Sequence, residues 1–351
     1  MNTPEKDTLK QEKEFQEEKF YFSFSSLVKL LTDPRVFYRD YILKEREELS
    51  AKYLDIGELV HCFVLEPENF EDKFVLMSKK VPGGKLKEVI DDVYNKSFPS
   101  TDVPLDDLSM RDLIISTLKE CDLYQGLVDS KKEVNGVKPT GDDKRLEKAV
   151  TPETIEYFNV LREGETKTIV DINTSIIAKE KANAILNNKT AMSLLEIAEE
   201  DQDLHIEIHK EIELKAELDS YAFGLKGIID CVKVDYENDT IHIIDIKTTS
   251  KTLNDWTKGF GTSPYKYWLQ PIVYKELLLS LIRRNDRKEW KMKVHYVVID
   301  KDNQVYCYPV STESLRIWEK EAKESYDIAK WHLENNNFEL PYNYANNFVE
   351  L

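Results

Sequence analysis

Three charged residues set inside apolar, strand-forming runs constrain this chain more than any other feature. The stretch GIIDCVKVDYENDTIHIIDIKTTS, residues 227–250, reads as two strands around the polar turn YENDT, with Asp230, Asp245 and Lys247 inside the apolar runs. A buried charge without a partner is costly enough that it neutralises or finds a counter-charge. Side chains alternate between the faces of a strand, so Asp245 and Lys247 point the same way as Ile241 and Ile243, and Ile244 and Ile246 point the other way. Apolar residues on both faces mark a buried strand. A hairpin can set Asp230 beside Asp245, and two adjacent carboxylates repel unless something neutralises them. A divalent cation with oxygen ligands does so, and Lys247 would then stand beside it, able to position a water. The competing account is a structural ion pair between Lys247 and one aspartate. For an isolated D-x-K tripeptide that account is the better one.

The surrounding chain supplies an α/β context. Residues 23–45 carry a helical pattern, with Ser25 or Ser26 expected as N-cap and Leu27, Leu30 and Leu31 on one face. Asp33-Pro34 should break or redirect it. A second helix is expected over YLDIGELVHCFVLEP, ending near Pro67. From about 80 to 165, turn-rich segments such as VPGGK and NGVKPTGDD separate short helical patterns, which reads as a helical insertion. TIVDINTSIIAKEKANAILNNKTAMSLLEIAEE then resumes a long helical periodicity. Strands follow at HIEIHKEIEL, FGLKGIIDCVKVD and TIHIIDIKTT, then a helix through QPIVYKELLLSLIRR, the strands KVHYVVID and QVYCYPVS, and a last helix, TESLRIWEKEAKESYDIAKWHLENN. This order predicts a mixed central sheet flanked by helices rather than a doubly wound parallel fold. The expected organisation is a charged leader (1–20), leading helices (21–79), the insertion (80–165) and a core (166–351).

Four motifs in order now suggest a family. GIID, followed 15 residues after its aspartate by DIKT, resembles the core of the PD-(D/E)XK nuclease superfamily, and more narrowly the RecB-like and exonuclease VIII (RecE) branch. GELVH supplies Gly57 and His61, and QPIVY supplies Gln270 and Tyr274, matching the Gly-x-x-x-His and Gln-x-x-x-Tyr helices of that branch. FSSLVKLLTDPRVFY and GELVHCFVLEPENF resemble its leading helices, so the likeness covers about 20–75 and 170–350. The resemblance implies a restriction-endonuclease-like core that binds Mg²⁺ or Mn²⁺ through His61, Asp230, Asp245 and the Ile246 carbonyl. Lys247 would act on the attacking water, and Gln270 and Tyr274 would contact the DNA backbone or orient Lys247. The upstream acidic residue of the family could be Glu211 or Glu213. Pro271, directly after Gln270, must occupy the first turn of its helix or kink it.

The expected function is therefore a metal-dependent deoxyribonuclease, an exonuclease by resemblance, acting in DNA recombination, repair or phage replication. The alternatives are a catalytically silent DNA- or protein-binding module and a structure-specific endonuclease or RNase. DNA is the expected partner, with a recombination or single-strand annealing protein and a homo-oligomer as further options. The formal charge of −17 argues against a broad electropositive footprint but not a confined one. The run RRNDRKEWKMK (283–293) and the loop residues Tyr265, Lys266 and Tyr267 are candidates for such a patch. Cys62, Cys121, Cys231 and Cys307 lack the close spacing of a zinc or iron–sulfur site, so no cluster is expected, and a reducing cytoplasm is the simplest setting. No apolar run is long enough for a membrane span.

Overall fold

β-Branched runs interrupted by a polar turn form the centre of the sheet. The computed structural model describes residues 15, 18–45, 52–97, 103–127, 141–163, 167–196, 205–260, 266–285 and 289–349. Its strands, in chain order, are β1 (Tyr21–Phe22), β2 (Phe74–Met77), β3 (Thr168–Asp171), β4 (Ile206–Glu217), β5 (Gly224–Asp235), β6 (Thr240–Thr248), β7 (Lys291–Ile299) and β8 (Val305–Pro309). The chain divides into two units, Met1–Glu66 with Glu180–Leu351, and Pro67–Lys179.

The first unit holds the mixed sheet, ordered β1-β5-β6-β7-β8, with β4 also paired to β5. β4, β5 and β6 form an antiparallel meander. β6 and β7 run parallel, joined by a crossover through the helices Leu253–Gly259 and Leu269–Asn285. Parallel neighbours require such a crossover, and a helix is its usual form. The helix Leu269–Asn285 buries Leu269, Ile272, Val273, Leu277 and Leu278 in a core shared with Ile241, Ile243, Val294 and Tyr296 of the sheet. Pro271 is the third residue of that helix, inside the first turn, where the missing N–H costs no intrahelical bond.

Two local expectations are corrected. The first helix, Phe24–Thr32, is capped by Ser23, not by Ser25 or Ser26. Ser23 accepts from the Ser26 N–H while Ser26 Oγ accepts from the Ser23 N–H, a reciprocal box that leaves Ser26 inside the helix. Asp33 then caps the next short helix, Pro34–Phe37, which redirects the chain as anticipated. The residues TIVD at 168–171, read as the start of a helical segment, are instead a strand. They pair in parallel with β2, and the helix begins only at Ile172. Three of those four residues are Thr, Ile and Val, which suit a pleated surface once a partner strand is available.

The second unit, Pro67–Lys179, has its own core. Met77, Val89, Ile90, Val93, Ile114 and Phe158 are among its buried residues. It includes the 80–165 segment together with both strands of the small sheet. No helix among the described residues is long and apolar enough to cross a membrane.

Candidate active site

The decisive local event is a slip in the alternation of β5. Ladder pairs Lys210↔Cys231 and Ile212↔Ile229 flank the Glu211–Asp230 step, which is not itself paired. Glu211 has φ 49°, a left-handed conformation that costs a side-chain-bearing residue about 1–3 kcal/mol. Leu225, Ile229 and Val232 all reach the same core, a spacing regular alternation cannot produce, so the strand shifts face at Asp230. Ile228 is left 51% exposed. On the other edge of β5 the ladder to β6 ends at Cys231↔Ile244. Beyond it the side chain of Asp230 replaces the missing strand contact, with Oδ2 accepting from the Ile246 N–H at 2.7 Å.

His61 comes to this opening from the helix Lys52–Leu65. Gly57, one turn earlier, lets that helix approach β6 closely, because a Cβ there would stand 3.2 Å from Thr248 Oγ1. His61 Nε2 lies 2.9 Å from the Ile246 carbonyl oxygen, which can only accept, so Nε2 carries the proton. Its Nδ1 then faces Asp230 Oδ2 at 3.7 Å and Glu211 Oε1 at 4.0 Å. One ligand atom from each of His61, Glu211 and Asp230 lies within 4.8 Å of the others. Ligand atoms around a six-coordinate divalent ion at about 2.1 Å lie roughly 3–4 Å apart, so this donor set fits such an ion with small adjustments.

A second group adjoins the first. Asp245, 2% exposed, has Oδ2 at 2.6 Å from Lys247 Nζ and accepts on Oδ1 from Gln270 Nε2 at 2.8 Å. Gln270 Nε2 also donates to the Tyr274 hydroxyl at 2.7 Å, while Gln270 Oε1 is buried with no hydrogen-bond partner among the described residues. Tyr274 fits because Gly227 has no side chain, since a Cβ at that position would meet its ring at 3.2 Å. Burial pushes the Asp245 pKa up, Lys247 opposes the shift and the Asp230 carboxylate adds to it. Burial alone would pull Lys247 down, but the Asp245 and Asp230 carboxylates outweigh it and raise its pKa, so Lys247 is an ammonium at neutral pH.

The sequence profile of the PD-(D/E)XK nuclease superfamily matches residues 137–340. The chain belongs to the PD-(D/E)XK nuclease superfamily. A crystal structure of an exonuclease candidate from Eubacterium rectale aligns over 96% of this chain and 87% of that one, at 12% identity and a TM-score of 0.42. No curated protein matches the chain.

Within this nuclease, the residues singled out from the sequence fall into two sets that adjoin at Ile246, between Asp245 and Lys247. His61, Asp230 and the Ile246 carbonyl form one, joined by Glu211. Asp245, Lys247, Gln270 and Tyr274 form the other. Asp245, expected from the family resemblance beside His61 and Asp230, directs its oxygens to Lys247 and Gln270. Of the two candidates Glu211 and Glu213, it is Glu211 that lies beside His61 and Asp230. Glu213 pairs in register with the exposed Ile228 and is itself exposed. Tyr296 and Lys181 were not anticipated. The Tyr296 hydroxyl donates to the Tyr267 carbonyl at 2.8 Å, and its ring lies in register beside Asp245. That register is a cross-strand contact with no local signature. Tyr265, and the side chains of Arg283, Arg284 and Arg287 in the basic run, lie outside the described residues.

Proposed function

We propose that this nuclease is a Mg²⁺- or Mn²⁺-dependent DNA exonuclease that processes DNA ends in recombination or repair. The observation that carries the reading is the adjacency, where β5 and β6 part, of a His–Glu–Asp donor set and a buried Asp245–Lys247 ion pair, joined through Ile246. His61, Glu211 and Asp230 would hold the ion, with Asp245 and the Ile246 carbonyl at its margin. When bound, the ion lowers the pKa of a water and neutralises charge on the scissile phosphate.

The chain's own residues do the rest. Lys247, an ammonium with three donors, holds the attacking water and stabilises negative charge growing on the phosphate oxygens. Asp245 keeps Lys247 in place at 2.6 Å, and Gln270 keeps Asp245 in place through its amide N–H. Tyr274 restrains Gln270 in turn. The exonuclease mode and the role in recombination are supported by the motif order GELVH, GIID, DIKT and QPIVY.

The test is digestion of linear and circular DNA, single- and double-stranded, and of RNA, in Mg²⁺, Mn²⁺, Ca²⁺ and EDTA. The reading expects loss of linear DNA in Mg²⁺ or Mn²⁺, none in EDTA or with Asp245→Ala, and survival of circles. Undiminished cleavage in EDTA would overturn the metal site, cleavage of circles would overturn the exonuclease mode, and preference for RNA would overturn the substrate.

A further inference from the structure

β6 does not end at Lys247. It ends at Thr248, and the chain goes on through Thr249 and Ser250, so that three consecutive hydroxyls line a cavity of about 310 Å³. Lys181, Lys251 and Lys301 line it as well, and no acidic side chain does among the described residues. In a chain of formal charge −17, three lysines and three hydroxyls gather hydrogen-bond donors around one cavity, with Asp300 and Asp302 beside Lys181 and Lys301. The cavity lies beside the reacting groups, because Thr248 follows Lys247 and the Tyr267 ring on its wall is 5.9 Å from Lys247 Nζ.

Lys181 is the most informative member. It is 8% exposed, and its ammonium donates to the Asp300 carbonyl at 2.5 Å and to Asn303 Oδ1 at 3.1 Å. An ammonium has three donors, so one remains for an acceptor within the cavity. Lys301 reaches the Asp302 carboxylate at 2.7 Å, but both side chains are about half exposed. Such a surface pair is weak and exchanges readily for a stronger anion. Trp256 and Tyr267 stack with ring centroids 6.0 Å apart, and Tyr267 is the more exposed of the two. Phosphate donors beside an aromatic face are the combination that recognises a nucleotide in a single strand.

The size of the cavity narrows the ligand. At about 310 Å³ it stands at the small end of ligand pockets, enough for one nucleotide and not for a strand passing through. A phosphomonoester carries between one and two negative charges at neutral pH, more than a diester, and suits three ammonium groups. We propose that this cavity seats a terminal phosphate of the substrate strand, with the terminal nucleotide against Tyr267 and the next phosphodiester beside Lys247. The proposal rests on the nuclease reading above and adds to it which feature of the DNA end is recognised.

The test uses the full chain and fluorescein-labelled 12-nucleotide strands ending in phosphate or hydroxyl, at the 5′ end in one pair and the 3′ end in another. Binding is followed by anisotropy in EDTA, and cleavage of the same strands in Mg²⁺. A phosphate at one of the two ends is expected to tighten binding by about tenfold or more. The double variant Lys251→Ala/Lys301→Ala, whose side chains are exposed and whose melting should not change, is expected to bring that ratio towards one. Lys181→Met should do the same, with a melting curve alongside because this lysine is buried. Equal affinity for all four ends, or a ratio intact in the double variant, overturns the proposal. A wild-type protein that cleaves nothing in Mg²⁺ sinks the nuclease reading instead, and the anisotropy ratio still decides whether the cavity reads a terminal phosphate.

Discussion

Lys247 and Glu211 are the two residues at which structural and catalytic roles can be separated. Lys247 is not among the donors that converge near His61, so Lys247→Ala should leave Mn²⁺ binding by calorimetry nearly unchanged while single-turnover cleavage falls on the order of 10²–10³. Lys247→Arg should restore little, since a planar guanidinium cannot reproduce a compact ammonium against Asp245. A lysine that served only to neutralise Asp245 would behave differently. Its Ala variant would melt early, with a buried carboxylate left alone, and cleave normally at low temperature. Glu211 and Glu213 form an internal control, two residues apart on one strand. Glu211→Gln should weaken Mn²⁺ affinity by about 10–100-fold, whereas Glu213→Gln should leave it as it was. Equal effects from the two would remove Glu211 from the donor set.

At the scale of elements, the strands β6 and β7 carry a histidine pair on the face opposite Asp245. His242 Nδ1 and His295 Nε2 are 3.1 Å apart and the rings stack at 17°. Burial, then His242 and Lys293, push the His295 pKa down to about 4. Burial, Lys293 and Lys233 lower His242 as well, against a smaller opposing effect from Asp235. In the unfolded chain a histidine takes up its proton near 6.5, so between about 6.5 and 4 the unfolded state binds more protons than the folded one. Stability is therefore held above pH 6.5 and lost as pH falls towards 4. After discounting for partial exposure the loss from His295 is on the order of 1–2 kcal/mol. Chemical denaturation at pH 7.5 and pH 4.5 checks this, with His295→Gln expected to flatten the difference. The pair was not singled out from the sequence, because residues 53 positions apart become neighbours only through the parallel register.

Across the whole molecule, if DNA is the substrate as proposed, the charge of −17 decides how it can be held. A protein this acidic must concentrate its phosphate contacts, and the lysines around the cavity beyond β6 are one such concentration. With about three or four phosphates neutralised, the slope of log K against log salt for duplex DNA should be near −3, well short of the −6 to −9 of a protein making seven to ten contacts. Titrations between 50 and 200 mM salt measure it, and a steep slope would point to a basic surface elsewhere, with the 283–293 run the first place to substitute.

The same separation of scales divides what was legible in the chain from what was not. The strands around YENDT, the helix opened by Gln270 and Pro271, and the motifs bearing His61, Asp230, Asp245 and Lys247 could be read directly, since periodicity and turn chemistry are local and each motif lies within one element. The mixed sheet followed from the order of helices and strands, and the family from the order of those motifs. Three things could not be read. The strand TIVD looked helical because its partner, β2, lies about 90 residues earlier in the chain. That Glu211 and not Glu213 faces His61 depends on a left-handed residue and a slip at Asp230, and alternation alone gives no warning of either. The division of the charged residues into a donor set and an ion pair depended on where β5 and β6 part company. Sequence therefore determined which groups are present and on which elements. Only tertiary packing decided which of them meet, because side-chain separations of a few ångströms are set by register and by helix–sheet approach, and the local chain encodes neither.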